Sequence, residues 1–304
     1  MSPPLSHSIQ ARLLNYSRAR QVNHSHTLAR YGVERLLYRL SRSRHADRFV
    51  LKGAVLFFLW MENGHRPTRD LDLLGLGDLT AETLREIFED VCAVPVEDDG
   101  ADFFSSGIEI EEIREAENYQ GLRVAIPGLL GNIHLHVSVD VGFGDAVVPA
   151  PQKVAYPVLL DLPHPKMNAY PREAVVAEKV DAMILFGLQN SRMKDYYDLW
   201  TLARYFSFES DTLARALNAT LNRRGRDLSP GMPSGLADEF AANLAKQTQW
   251  KAFLRRTIPG RTDLDLGEVV SFLRGFLAPV LEAVLSGNTP HFHWTPERGW
   301  ADKH

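Results

Sequence analysis

Two aspartates separated by one residue are the first feature of the chain that could do chemistry. Asp70 and Asp72 lie in the segment RPTRDLDLLG, where leucines surround them. Residues i and i+2 of a strand point to the same face, so the two carboxylates should project side by side. Mg²⁺ prefers such hard oxygen ligands together with substrate phosphates. The pair predicts a divalent metal site; a surface strand edge or a turn is the alternative interpretation.

A second polar face follows in the segment IHLHVSVDV, residues 133–141. Its alternation predicts a half-buried strand with His134, His136 and Asp140 on the polar face. If this strand neighbours the first, three carboxylates converge, which is enough for two metal ions about 3.5–4 Å apart and for in-line phosphoryl chemistry. The two histidines with Asp140 are a competing transition-metal triad. The hard oxygens of Asp70 and Asp72 favour magnesium.

A basic, glycine-containing turn precedes the aspartates. Lys52 and Gly53 end the segment FVLKG, which reads as a short turn into a helix, AVLFFLWME. The N–H groups and dipole at a helix N-terminus favour phosphate, and Lys52 adds a positive charge. Together with the carboxylates, this turn predicts a site for a nucleoside triphosphate.

Two consecutive helical segments in the second half each place a charge on an apolar face. Lys179 and Asp195 both lie among apolar neighbours, where a charge is costly unless it has a partner. A direct bridge between them is one interpretation. An axial offset of roughly 7–8 Å, at 1.5 Å per residue, favours instead a shared cleft. Lys179 would then contact triphosphate oxygens, and Asp195 would orient Lys194, Arg192 or the acceptor.

The bulk composition is that of an ordinary globular chain. Of 304 residues, 45% are hydrophobic and 24% charged, and the net charge of −4 creates no overall attraction to nucleic acid. Cys92 is the single cysteine, which excludes a disulfide framework and a cysteine-based metal site. The start lacks the apolar core of a signal peptide, and the longest apolar run, AVLFFLWM, is too short to span a bilayer. We therefore expect a cytoplasmic protein without a membrane partner.

The charges are nevertheless unevenly distributed. Residues 1–50 contain nine arginines and two acidic residues, whereas residues 81–120 contain thirteen acidic residues and two arginines. This contrast could orient a polyanionic ligand toward the N-terminal part. A solvated helix face that carries arginines is the alternative.

The pattern of elements changes along the chain. The first half reads as mixed α/β, and from residue 172 onward the chain reads almost wholly helical, beginning with 172–187 and 192–206. The segment LPHPK near residue 165 is the expected boundary. We therefore predict two domains, residues 1–165 and 166–304.

Four segments in this order resemble the AbiEii/AbiGii nucleotidyltransferase toxin family, a branch of the DNA-polymerase-β-like superfamily. They are FVLKGAVLFFLW, RPTRDLDLLG, VSVDVGFGD and AEKVDAMILFGLQNSRMKDYYDLW. The resemblance implies an α/β (α+β) nucleotidyltransferase core with a mixed sheet and a mainly α-helical C-terminal lobe. In this bilobed fold, an NTP and Mg²⁺ would bind in the cleft.

The resemblance also implies residue roles. The metal ligands would be Asp70, Asp72 and Asp140; the phosphate-binding turn Lys52 and Gly53; the nucleotide-binding lysine Lys179; and the fourth motif Arg192, Lys194, Asp195 and Asp198. Lys179 and Asp195 join the three metal ligands as the expected catalytic residues. One departure is Gly53-Ala54-Val55, where the superfamily usually carries a hydroxyl residue, so one phosphate contact is missing.

The implied reaction is the Mg²⁺-dependent transfer of NMP from an NTP to the 3′ end of tRNA, which blocks translation. A cognate antitoxin is the implied protein partner. The arginines of residues 1–50, or Arg223, Arg224 and Arg226, could hold the RNA backbone. Two alternatives stay open: transfer to a protein or small-molecule hydroxyl, and a catalytically silent module that only binds a partner.

Overall fold

The chain forms two compact units. The structure, a computed structural model, describes residues 5–61, 65–116, 119–258, 260–261 and 263–302. Unit 1 comprises Met1–Gly144 and Gln152–Tyr170, and unit 2 comprises Asp145–Pro151 and Pro171–His304.

Unit 1 combines a sheet with helices from the N-terminal part of the chain. Its helices are α1 (Leu5–Arg20), α2 (His24–Arg42), α3 (Phe57–Trp60) and α4 (Ala81–Cys92). Its strands are β1 (Phe49–Lys52), β2 (Asp70–Gly75), β3 (Ala101–Phe103), β4 (Glu109–Ala116), β5 (Tyr119–Leu130), β6 (Ile133–Phe143), β7 (Gln152–Ala155) and β8 (Lys166–Ala169).

The eight strands of unit 1 form one mixed sheet, in agreement with the predicted fold class. Its order is β3-β5-β6-β2-β1-β8-β7, with β4 paired to β5. The pairs β2–β6 and β1–β8 are parallel, and the others are antiparallel. The apolar face of β6 (Leu135, Val137 and Val139) is buried, because α2 packs against it: Gly32 of α2 leaves just enough room for Val137.

The segment between the Lys52 turn and the aspartates differs from the prediction. FVLK is strand β1, hydrogen-bonded to β2 and β8, because its apolar residues Phe49, Val50 and Leu51 are all buried within the sheet. The predicted helix AVLFFLWME is reduced to a 3₁₀ turn, Gly53–Leu56, and the four-residue α3. Glu62 lies outside the described residues.

Unit 2 is mainly helical, as predicted. Its helices are α5 (Arg172–Phe186), α6 (Met193–Tyr205), α7 (Ser210–Arg223), α8 (Asp238–Ala242), α9 (Leu244–Thr257) and α10 (Leu266–Ser286). Three short strands form a separate small sheet in the order β11-β10-β9: β9 (Phe208–Glu209), β10 (Phe292–Thr295) and β11 (Gly299–Asp302). This sheet was not predicted.

The small sheet attaches the C-terminal segment to the helices of unit 2. The indole N–H of Trp294 donates to the carbonyl of Ala203, and that of Trp300 donates to the carbonyl of Phe276. The ring of Phe276 stacks on Trp300, with centroids 5.8 Å apart. A buried indole needs such a partner for its N–H, so both tryptophans dock on their own unit.

Helix α10 is the one helix in the described ranges that is long and apolar enough to cross a membrane by length and composition. One side of it is buried among α6, α7 and α8. Core helices of globular units meet the same criterion.

Candidate functional site

A row of charged side chains crosses four adjacent strands of unit 1. Lys52 of β1 lies opposite Asp72 of β2, Asp72 lies opposite Asp140 of β6, and Asp140 lies opposite Arg123 of β5. Residues directly opposite in a sheet share a face, with Cβ atoms about 4.5–5.5 Å apart in antiparallel pairs. We call these four residues the charge row. Two acidic groups lie at its centre, and one basic group lies at each end.

Asp70 extends the acidic centre along β2. It lies two residues before Asp72 on the same face, opposite Ser138. Asp70 is exposed, whereas Asp72 and Asp140 are half-buried. Bringing three negatively charged carboxylates together on neighbouring strands costs free energy, because they repel each other and are partly removed from water. Such an arrangement therefore indicates a place where positive charge binds.

Gly53 brings the backbone close to Asp72. It has φ of 72°, and a Cβ at this position would overlap with the Asp72 carboxylate. Only glycine therefore permits this approach without strain. Lys52 lies over the ring of Tyr170, with its ammonium 5.5 Å from the centroid. The expected contribution of a helix dipole is small here, because α3 has only four residues.

Arg123 was not among the residues predicted from the sequence. Its Nε and Nη2 donate to the two oxygens of Asp140, each at 2.7 Å. The bidentate bond to Asp140 raises the pKa of Arg123 above its ordinary value, and Asp70 adds to this effect. No local sequence signal marks Arg123, because its partner is set by the register of β5 against β6.

The carboxylates suit a divalent cation in their chemistry, but their side chains are not arranged as a complete set of metal ligands. Hard oxygen donors from two adjacent strands, beside a glycine with no Cβ, suit Mg²⁺. Within the described ranges, however, no group of three or more His, Cys, Asp or Glu side chains is arranged to hold a metal. Arg123 occupies both oxygens of Asp140. Roles for Asp70, Asp72 and Asp140 as metal ligands therefore stay predictions.

The competing histidine triad is geometrically wrong. His134 and His136 are exposed and stack on each other, with ring centroids 6.2 Å apart. His136 is four residues and His134 six residues before Asp140, which at ~3.3 Å per residue is about 13 and 20 Å along the strand. These three side chains cannot share one ion.

In unit 2, Lys179 bridges directly to two aspartates. Its Nζ lies 2.7 Å from Oδ1 of Asp195 and 2.8 Å from Oδ2 of Asp198. The preference for an unbridged pair was therefore wrong, because the flexible four-carbon stem of lysine spans the offset. Arg192 also pairs with Asp195, at 2.7 Å. Lys194, between them, is exposed.

The cluster of Lys179, Arg192, Asp195 and Asp198 is buried at its acidic end. Both aspartates are essentially inaccessible to solvent. Desolvation opposes ionisation of Asp195, but Lys179 and Arg192 outweigh it, and the pKa of Asp195 is lowered. We call these four residues the ion-pair cluster.

Lys246 fixes the turn that precedes this cluster, and it was also missed. Its buried ammonium donates to the carbonyl of Asn190 at 2.9 Å and lies 5.6 Å from the Phe240 ring centroid. Asn190 in turn accepts the backbone N–H of Arg192 through its side chain. The sequence distance of 56 residues between Lys246 and Asn190 concealed this contact.

Two of the three arginines expected to hold RNA are committed inside unit 2. Arg224 pairs with Asp181 at 2.7 Å and with Asp145 at 3.0 Å. Arg226 pairs with the other oxygen of Asp181, at 2.7 Å. The prediction that Arg224 and Arg226 serve the RNA backbone was therefore wrong. Asp181 is buried, and its carboxylate pairs with both guanidinium groups.

Comparison with known proteins confirms the resemblance seen in the sequence. The family model described as "Nucleotidyl transferase AbiEii toxin, Type IV TA system" matches residues 35–285. Sequence comparison with curated proteins found no match.

Two crystal structures from Helicobacter pylori are similar: a candidate nucleotidyltransferase and JHP933. Each is 13% identical with a TM-score of 0.45, and the alignments cover 83% of this chain and 91% and 88% of theirs. The family model spans both the charge row and the ion-pair cluster, so this chain belongs to the AbiEii family of nucleotidyltransferase toxins.

Proposed function

We propose that this nucleotidyltransferase moves NMP from an NTP to the 3′ hydroxyl of tRNA, and thereby blocks translation in the cytoplasm. The charge row carries the proposal, since it aligns a lysine, two carboxylates and an arginine on neighbouring strands. Asp70 adds a third carboxylate on the same face. The tRNA acceptor is supported by the resemblance to family members that modify tRNA.

The residues of unit 1 have separable roles in this proposal. Lys52 and the backbone at Gly53 contact the triphosphate, where the absent hydroxyl at Ala54 leaves more of the work to Lys52. Bound Mg²⁺ would offset the charge of the triphosphate and lower the pKa of the acceptor hydroxyl. Asp70, Asp72 and Asp140 would hold it. Arg123 balances the charge of Asp140 before the substrate binds and gives up the Asp140 oxygens when Mg²⁺ is bound.

In unit 2, the exposed Lys194 and the half-buried Arg192 are the proposed contacts for phosphate oxygens. Asp195 and Asp198 position Lys179 and Arg192, since both carboxylates are buried and paired. The family assignment implies an antitoxin encoded with the toxin, and we propose that it binds this protein or acts on its expression.

The test is to incubate the purified protein with total tRNA, Mg²⁺ and each α-labelled NTP in turn. We expect label to enter tRNA with one preferred NTP. The matched control is the variant Asp70→Asn/Asp72→Asn, which keeps side-chain size and removes two negative charges. Label in tRNA at wild-type level in this control would sink the proposal.

The same assay separates the alternatives. If NTP binds with Mg²⁺ but no label enters tRNA, the acceptor is a protein or small-molecule hydroxyl, and cell extract depleted of RNA becomes the next substrate. If no Mg²⁺–NTP binds, the protein acts as a partner-binding module. The salt dependence also separates a tRNA acceptor from a small-molecule acceptor, because the affinity for tRNA held through several phosphates falls steeply as the salt concentration rises.

A further inference from the structure

A basic groove lies at the start of strand β8 in unit 1. It has a volume of about 580 Å³, within the range of small-ligand pockets. Its walls include Tyr38, Ser41 and Arg42 of α2, Pro163 and His164 just before β8, and Lys166, the first residue of β8. The described residues that line it include no acidic side chain. We call it the α2–β8 groove.

The positive charge of the α2–β8 groove is not neutralised within the protein. Arg42, His164 and Lys166 are exposed. Neither Arg42 nor Lys166 forms an ion pair within the described part of the chain. Nδ1 of His164 donates to the carbonyl of Tyr156, which leaves Nε2 for another partner. Basic groups from two elements converge on one concave surface, which favours an anionic ligand.

A buried arginine under the groove is an independent indication of a ligand. Arg35 is 0% exposed, and its Nε and Nη1 lack a hydrogen-bond partner among the described residues. Its Nη2 donates to the carbonyl of Pro163, and its guanidinium lies 5.4 Å from the ring centroid of Tyr38. Pro163 and Tyr38 both line the groove. Buried guanidinium N–H groups without acceptors are rare, and the positive charge of Arg35, next to two residues of the groove wall, adds to the attraction of the groove for an anion.

The groove is separate from the charge row. Lys166 begins β8, whereas Tyr170, which contacts Lys52, directly follows its end. Four residues of strand span about 13 Å. An anion at Lys166 therefore lies well away from the triphosphate expected at Lys52.

We propose that the α2–β8 groove binds a phosphate group of the RNA acceptor, with Arg42 and Lys166 on the phosphate and Tyr38 available for stacking on a base. Aromatic stacking beside basic side chains is the usual chemistry of single-stranded RNA sites. This inference rests on the proposed function, because it takes the acceptor to be RNA. A free nucleotide offers the same phosphate and is the other source.

The test measures binding of a labelled single-stranded RNA of about 12 nucleotides, the size that such sites cover. Fluorescence anisotropy in EDTA without NTP makes the result independent of catalysis. The variant is Arg42→Glu/Lys166→Glu. Its control, Lys251→Glu/Arg255→Glu, makes the same charge change on exposed residues of α9. Free ATP in EDTA forms the second arm.

We expect the groove variant to bind RNA at least about tenfold more weakly, with the salt slope reduced by about 1.4, or 0.7 for each lost phosphate contact. The control should match wild type. Loss of ATP binding with RNA binding retained would assign the phosphate to a free nucleotide. Unchanged binding in both arms, or equal loss in variant and control, would overturn the proposal.

Two further measurements show whether a loss of RNA binding results from a loss of folding. Circular dichroism and Tm establish that the variants fold, and Lys166→Gln offers a milder change if charge reversal prevents folding. Failure of the proposed function is recognised separately: groove-dependent RNA binding without any label transfer contradicts the tRNA reaction but not the groove. Label transfer with groove-independent RNA binding contradicts the groove alone.

Discussion

The charge row of unit 1 and the ion-pair cluster of unit 2 contain similar residues in different surroundings. In the charge row, Asp72 and Asp140 are half-buried, and Asp70, next to the row on the same face of β2, is exposed. In the cluster, Asp195 and Asp198 are buried, and Lys179 contacts both. Partly exposed acidic groups on a sheet surface can receive a ligand, whereas buried, paired groups mainly hold other side chains in place. The comparison predicts activity effects in one region and stability effects in the other.

The largest effect should come from Asp72→Asn. The transfer rate should fall by more than about a thousandfold, which is about 4 kcal/mol in activation free energy. The reason is that the centre of the charge row loses a negative charge that the proposed Mg²⁺ site needs. Tm should match that of Asp47→Asn, a control at an exposed aspartate of the same unit. Activity is measured with α-labelled NTP. A Tm loss that accounts for the lost activity would make Asp72 a structural residue and remove the contrast.

Asp195→Ala should instead lower stability, by about 3–5 kcal/mol, because it removes a buried carboxylate that pairs with both Lys179 and Arg192 and leaves each cation with one partner fewer. Thermal or urea unfolding measures the change. Asp211→Ala breaks a half-exposed i,i+4 pair with Arg215 and should cost less than about 1 kcal/mol. If Asp195→Ala loses transfer at unchanged Tm, Asp195 acts on the substrate and the cluster resembles the charge row.

Glu34 is a buried, paired carboxyl group of unit 1. It tests whether burial determines that a charged residue affects stability, whichever unit contains it. Desolvation raises the pKa of Glu34 to about 7 against pairing with Arg30 and a hydrogen bond from Leu159. Because the pKa of the Glu34 carboxyl is higher in the folded than in the unfolded chain, its contribution to stability is fully present below the unfolded pKa of 4.5. This contribution is lost as the pH rises to about 7.

Wild-type unfolding free energy should therefore fall by roughly 3 kcal/mol relative to Glu34→Gln between pH 4.5 and 7. Urea unfolding across this pH range measures it, with the exposed Glu86→Gln as control. Parallel pH profiles for Glu34→Gln and wild type would contradict the raised pKa.

The smallest effect should come from Arg123→Gln. The Arg123–Asp140 pair is partly exposed, so its loss should cost about 1 kcal/mol or less in stability. Removing a competitor for the Asp140 oxygens should lower the Mg²⁺ concentration for half-maximal transfer by roughly fivefold, the equivalent of about 1 kcal/mol. A higher Mg²⁺ requirement would show that Arg123 holds Asp140 in its active orientation. Arg85→Gln, whose guanidinium contacts a backbone carbonyl, is the control.

Much of the fold was predictable because its signals are local. The alternation of residues 133–141 predicted β6, and the spacing of Val175, Val176 and Met183 predicted α5. Predictions failed where neighbours decide. FVLK forms a central strand only because β2 and β8 flank it. The second half of the chain was predicted to be almost wholly helical, yet Asn243 separates α8 from α9 and caps α9.

The candidate site divides in the same way. The residue types at Asp70, Asp72, Asp140, Lys52 and Lys179 and their order along the chain determined the family and hence the reaction class. The register decided the rest. Only the pairing of four strands aligns Lys52, Asp72, Asp140 and Arg123, and only packing commits Arg224 to Asp181. The sequence specifies the type of each side chain directly. The free energy of a charged side chain depends instead on its burial and on partners distant in sequence, and only the tertiary structure provides these.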